Sequence, residues 1–253
     1  MASTLERAYP GGANALNFLR LVLASMVIFG HAAVLSGVAL PSSLALLLSE
    51  VPVDGFFAIS GFLIARSWHR NPQARGYLMN RVLRIGPAFV VCLVVTAVLI
   101  APLATATSGR SMQGYWTAPD GPVPYVWKNI TLWMGQYQIS GGPTGIPYPL
   151  TWDGSLWTLG WEFLCYLGLA CAGALGILSV RPALLPWLFV GVWIVSLFGV
   201  YAHASGRFAS ITRHIEPIDR FALMFIAGTM LFAFAERCCR CIPLWRLSAA
   251  SSC

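Results

Sequence analysis

Apolar residues in this chain come in solid runs rather than in alternation. The first run, residues 17–40, reads NFLRLVLASMVIFGHAAVLSGVAL and is interrupted by one strong base, Arg20, and one imidazole, His31. At ~1.5 Å per helical residue it is long enough to cross a ~30 Å hydrocarbon core. Pro41-Ser42-Ser43 then marks a turn. Further apolar runs follow at 44–66, 85–104, 155–177, 183–201 and 220–235. Residues 127–137, WKNITLWMGQY, are too short to span comfortably and read as interfacial or partly inserted. The pattern predicts an all-α polytopic transmembrane helix bundle with six spans, or seven if 127–137 crosses. That segment also sets sidedness. If it crosses, the 202–220 loop is cytoplasmic and the C-terminal tail is outside; if not, the two swap. A transmembrane barrel is excluded, because its strands alternate apolar and polar residues and these runs do not.

The stretches between the runs are polar. Residues 1–16 read as a cytoplasmic leader, 17–235 as the membrane domain and 236–253 as a basic, Cys-containing tail. Residues 105–126 are rich in Gly, Pro, Ser and Thr and read as an extracytoplasmic loop. Residues 138–154, QISGGPTGIPYPLTWDG, form a long irregular loop with aromatics, suited to a lid or an acceptor platform.

Composition agrees with the pattern. Of 253 residues 57% are hydrophobic and 10% charged, against roughly 25% charged in a soluble domain. The formal charge is +7, and fifteen of the sixteen basic residues are Arg, the side chain suited to bidentate contacts with phosphate or carboxylate. These bases sit in membrane loops, so nucleic acid is an unsuitable partner. Anionic lipid head groups or a phosphate-bearing ligand account for the charge instead. Cys238, Cys239 and Cys241 lack the two separated pairs of a zinc site, so no metal is expected.

Several polar residues stand out against this apolar background. Arg20 and His31 are eleven residues apart, which on a helix returns to nearly the same face about 16 Å further along the axis. Ionisable groups inside spans mark working sites, although an interfacial anchor and a hydrogen-bonded bundle residue would satisfy this pair equally. Asp54 lies in VPVDGFFAISGFLIA beside Gly55, with Ser60-Gly61 beyond. The glycines suit close helix packing or a local break that exposes backbone to a ligand. Residues 66–84 hold Arg66, Arg70, Arg75, Arg81 and Arg84 with no acid, which places them in the cytoplasm. Arg81 and Arg84, three apart, serve topology or present paired guanidinium groups to a polyphosphate. Ser155, Thr158, Glu162 and Tyr166 follow a three-to-four spacing and predict one polar stripe on an apolar helix.

The motifs, in order, are Arg-x10-His, VDGFFAISGFLI, RVLRIGP after a basic loop, and SLWTLGWEFLCY. Together they resemble the integral-membrane acyltransferase 3 family, whose members O-acylate surface polysaccharides, lipopolysaccharide and related glycans. The resemblance covers about residues 17–170. It implies a multi-pass protein of the bacterial inner membrane, N-terminus cytoplasmic, with acetyl-coenzyme A or another acyl-coenzyme A as co-substrate and no bound cofactor. The acceptor would be a glycan or glycolipid, with membrane lipids around the bundle. Within the resemblance, Arg20 with His31, Arg81 with Arg84, and Glu162 match motif residues of the family, and on their chemistry His31 would be general base or transient acyl carrier, with Asp54 or Glu162 orienting it. Arg20, Arg81 and Arg84 would hold the donor, and Ser60, Ser155, Trp157, Thr158 and Tyr166 would line the acceptor pocket. Family members are usually longer and carry more spans, so the chain reads as one shortened at its C-terminal side. A transporter or flippase of a glycan lipid or small anion, and an inactive remnant, are the competing readings.

Overall fold

The computed structural model describes residues 13–178, 183–204 and 209–241. Residues 1–12 of the expected leader, 242–253 of the tail, and the side chains of the 202–218 basic cluster and of the tail cysteines lie outside what is described.

The described chain is helical. α1 spans Ala13–Leu35 and α2 Ser42–Arg70. α3 runs through Ala74–Thr107, with a π turn at Thr96–Ile100. α4 is the short helix Pro122–Asn129. A 3-10 turn, Gly154–Trp157, leads into α5, Thr158–Ala174. α6 spans Leu184–Ala204 and α7 Ala209–Cys241. Among the described residues, α1, α2, α3 and the Gly154–Ala174 segment are long and apolar enough to cross a membrane, and Leu184–Gly199 is a shorter apolar helix. The fold is the all-α membrane bundle that the apolar runs predict.

Two local expectations are revised. α1 begins at Ala13, ahead of the apolar run, so the end of the leader is helical. The basic stretch 66–84 is mostly helix: Arg66 and Arg70 close α2, Arg75, Arg81 and Arg84 open α3, and the turn itself is 71–73. Long guanidinium side chains let helices run past the apolar slab while their charges stay at its surface. Residues 127–137 form no spanning helix. They hold the end of α4 and the irregular chain after it.

α2 is the central element. It lies antiparallel to α1, where Gly55 meets Leu23 and Gly30 meets the Leu48 main chain. It lies parallel to α7: Phe57 stacks on Phe221 at 4.3 Å, and Phe62 meets Phe232 edge-on at 5.7 Å. A Cβ on Gly61 or Gly228 would run into the main chain of the opposite helix, the close approach that small residues permit in lipid. α2 is unbroken through Gly55 and Gly61, so these glycines serve packing, not a split helix. α5 completes this half, with Tyr77 of α3 donating to the Tyr166 carbonyl at 3.3 Å. A second core, around Phe89, Leu93, Ala97, Tyr115, Tyr125 and Ile139, joins α3 to α4 and its loops. Phe18, Leu21, Ile28 and Phe29 of α1 are exposed, as an apolar surface facing lipid requires.

Candidate active site

Among the described residues, α1 contributes one polar residue to each of two cavities in the bundle. The smaller, about 310 Å³, is lined by Arg20 of α1, Ser60 of α2, Arg81, Arg84 and Cys92 of α3, and Glu162 and Tyr166 of α5. The larger, about 1190 Å³, is lined by His31 of α1, Ser49 of α2, Arg110, and loop residues that include Tyr137, Tyr148, Asp153, Ser155 and Trp157.

In the arginine cavity every polar group stands on a helix face. Glu162 and Tyr166 are one turn apart, and both the Tyr166 hydroxyl and Ser60 Oγ donate to Glu162 Oε1, the latter at 3.1 Å. No base pairs with Glu162 among the described residues. The Arg81 guanidinium lies 5.7 Å from the Tyr77 ring centre and 5.9 Å from that of Tyr166. Its Nη2 reaches Ser67 Oγ at 3.4 Å, and its buried Nε has no hydrogen-bond partner in the structure. Aromatic faces therefore steady the cation without consuming its donors. Three arginines and a hydroxyl-bound carboxylate thus line one space.

The histidine cavity is walled by a cap folded from the chain between α3 and α5. Asn129, fully buried, organises it. Its Nδ2 donates to the Gln136 carbonyl at 2.7 Å, and its Oδ1 accepts from the Gly135 and Gln136 amides at 2.8 and 3.0 Å. Gln136 Nε2 donates to the Asp120 and Gln138 carbonyls, and Asp120 Oδ2 accepts from the Gly141 amide at 2.9 Å. Ser140 Oγ donates to the Tyr115 carbonyl, and the Tyr115 hydroxyl donates to Ala97 in the π turn at 2.8 Å. The cap is thereby tied to α3. It holds Leu132, Ser140, Leu150 and Asp153 at positive φ, from 47° to 69°, and strain of this kind gathers where surrounding contacts over-determine the backbone.

His31 Nδ1 lies 2.8 Å from the Val27 carbonyl oxygen. A carbonyl only accepts, so Nδ1 donates this bond and Nε2 is the ring nitrogen left for a substrate. The Tyr125 hydroxyl donates to Asp153 Oδ2 at 2.9 Å. Burial, and then the Asp153 carboxylate beside it, push the Tyr125 phenol up, so it remains a donor at neutral pH.

The cavities abut. Leu156 lines the arginine side, whereas its neighbours Ser155 and Trp157 line the histidine side. Cys92 of the first cavity lies beside Asp153 of the second. The predicted polar stripe is split here. Ser155 sits on the 3-10 turn and lines the histidine side, whereas Glu162 and Tyr166 on α5 line the arginine side.

The structure gathers Arg20, Arg81, Arg84, Ser60, Glu162 and Tyr166 in one cavity and His31, Ser155 and Trp157 in the other. Asp54 and Thr158 line neither. Thr158 Oγ1 turns back onto the Ser155 carbonyl at 3.3 Å. Asp54 Oδ1 accepts from Arg220 Nε at 2.7 Å, and Glu50 pairs with the same guanidinium, linking α2 to α7. Sequence reasoning did not single out Arg110 or Asp153. The irregular aromatic loop pointed to the region and not to these side chains.

A family model described as an acyltransferase domain, that of the acyltransferase 3 family, matches residues 13–253. The chain is 30% identical over 228 residues to an O-acetyl transferase of Shigella phage Sf6, covering 87% of this chain and 62% of that protein. It is 32% identical over 235 residues to nodulation protein 10 of Rhizobium leguminosarum bv. viciae, covering 89% of this chain and 58% of that protein. It thus spans about three fifths of the length of the curated relatives it matches. No solved structure matches it. The chain belongs to the acyltransferase 3 family, a family of membrane proteins.

Proposed function

We propose that the chain is a membrane-embedded O-acyltransferase that moves an acyl group, acetyl first among candidates, from acyl-coenzyme A to a hydroxyl of a cell-surface or exported glycan. The observation that carries this reading is the sorting of the two ionisable residues of α1. Arg20 joins Arg81 and Arg84 in one cavity, and His31 faces another that abuts it.

The arginine cavity suits the donor. At about 310 Å³ it is too small for a whole coenzyme A, so the phosphates rest against the guanidinium groups of Arg81 and exposed Arg84 while the acyl arm reaches inward. Arg20 adds a third cation. Glu162 fixes the wall through Ser60 and Tyr166. By the positive-inside rule the arginine-rich turn lies in the cytoplasm of a bacterium, where acyl-coenzyme A is made, and the N-terminus lies with it.

The larger cavity suits the acceptor, with rings for sugar faces and hydroxyls for hydrogen bonds. His31 Nε2 takes the proton of the acceptor hydroxyl as its oxygen attacks the thioester carbonyl. The new carbon–oxygen bond forms, the carbon–sulfur bond breaks, and the proton returns to the departing thiolate. About 16 Å along α1 separates Arg20 from His31, and the extended arm of the donor bridges that interval.

Purified His31→Ala protein, supplied with radiolabelled acetyl-coenzyme A and glycan acceptor, is expected to bind donor normally and to transfer no label above background. Full retained transfer overturns the assignment.

A further inference from the structure

We propose that Arg110 makes the His31 cavity selective for an acceptor that carries an anionic group, a carboxylate or phosphate on the sugar, next to the hydroxyl that reacts. This rests on the acceptor reading given above and names its substrate class more narrowly.

Arg110 is the one arginine among the residues lining that cavity. It is half-buried in the loop just beyond α3, and its Nη2 donates to the Ser140 carbonyl at 3.1 Å. No carboxylate pairs with it among the described residues, although Asp153 lines the same cavity. The Asp153 carboxylate instead accepts from Tyr125. The guanidinium has a shaped seat: a Cβ on Gly142 would come within 2.7 Å of Nη1, and one on Gly141, at φ +68°, within 3.4 Å of Nη2. Two adjacent glycines thus leave room for it, and a backbone carbonyl aligns it.

A guanidinium offers five N–H donors in a rigid fork, and one bond to Ser140 leaves most of them free. A partly desolvated cation without a counter-charge favours an anion strongly, and a planar fork favours one that takes two parallel hydrogen bonds. The other walls, with Tyr137, Tyr148 and Trp157 exposed and Thr105, Ser108 and Thr144 supplying hydroxyls, fit the neutral part of a sugar. Arg110 adds a contact that a neutral sugar leaves unused.

The test is equilibrium binding to the full chain in nanodiscs, with no acyl donor present. The probes are a neutral galactose tetramer, tetragalacturonic acid, and the neutral tetramer bearing one phosphate. At least one anionic probe is expected to bind about tenfold or more tighter than the neutral one, and the tighter of the two identifies the anion. Arg110→Gln removes that advantage and leaves neutral binding within about twofold, whereas Arg75→Gln, at a residue that lines neither cavity, preserves it. Equal binding of all three probes, binding of none, or an undiminished preference in Arg110→Gln overturns the proposal. Should Arg110→Gln fail to fold, salt titration of the unaltered protein decides. The anion advantage falls with added salt, and a salt-independent preference overturns the proposal. Because no donor is used, failure here leaves acyl transfer and its His31→Ala test standing.

Discussion

The arginine cavity and the histidine cavity share α1 and a wall, yet they are built by opposite means. The first is formed by helix faces, where residues three or four apart meet because the helix repeats. Ser60, Glu162, Tyr166, Arg81 and Arg84 reach it from three helices. The second is formed on one side by α1 and on the other by irregular chain held by Asn129, Gln136 and Asp120. On the proposed reading, the regular wall suits the donor and the irregular one, whose loops change more readily, suits the acceptor.

The largest effect that sharpens this division is at His31. His31→Ala should lower transfer by about 10³-fold, the scale of general-base catalysis, with donor affinity unchanged in a direct binding measurement. If donor affinity falls with it, the two cavities are one site.

Next comes the double variant Arg81→Lys, Arg84→Lys. It keeps the charge and loses the forked donors, so donor dissociation should weaken about tenfold or more while acceptor binding holds. Unchanged donor affinity removes the clamp. Tyr125→Phe should act on the other side only. Loss of the hydrogen bond to Asp153, worth about 1 kcal/mol, is expected to weaken acceptor binding several-fold and leave donor titrations untouched.

The smallest effect separates two readings of Asp54. As a link between α2 and α7 through Arg220, which keeps 34% side-chain exposure, its loss in Asp54→Asn costs about 1 kcal/mol of thermal stability and leaves turnover in place. As a catalytic acid, the same change abolishes turnover with stability intact. Thermal unfolding and transfer rates on one preparation distinguish them.

The contrast between the cavities also explains what the sequence disclosed. Periodicity on helices is a local property, so the facing of Glu162 with Tyr166 and of Arg81 with Arg84 was legible from spacing, and the solid apolar runs disclosed the bundle. Ser155 escaped that logic because it precedes α5, on the Gly154–Trp157 turn, and lines the histidine cavity while Glu162 and Tyr166 line the other. Asp54 drew attention as an acid within an apolar run. Its partner Arg220 is 166 residues distant in the chain, a pairing no local pattern encodes. Arg110 and Asp153 belong to loops whose placement depends on Asn129 and on the π turn beneath Tyr115, so their convergence with His31 is a property of tertiary structure alone.

The proposed function implies that a cytoplasmic donor and an exported acceptor enter from opposite ends of the bundle. Its most direct test is the initial rate of radiolabel transfer in sealed proteoliposomes of known orientation, with acetyl-coenzyme A on the side of the arginine-rich turn and glycan acceptor on the side of the cap. We expect label to appear on acceptor across the bilayer, and none when the two compartments are exchanged. Transfer that occurs only with donor and acceptor on the same side contradicts the account.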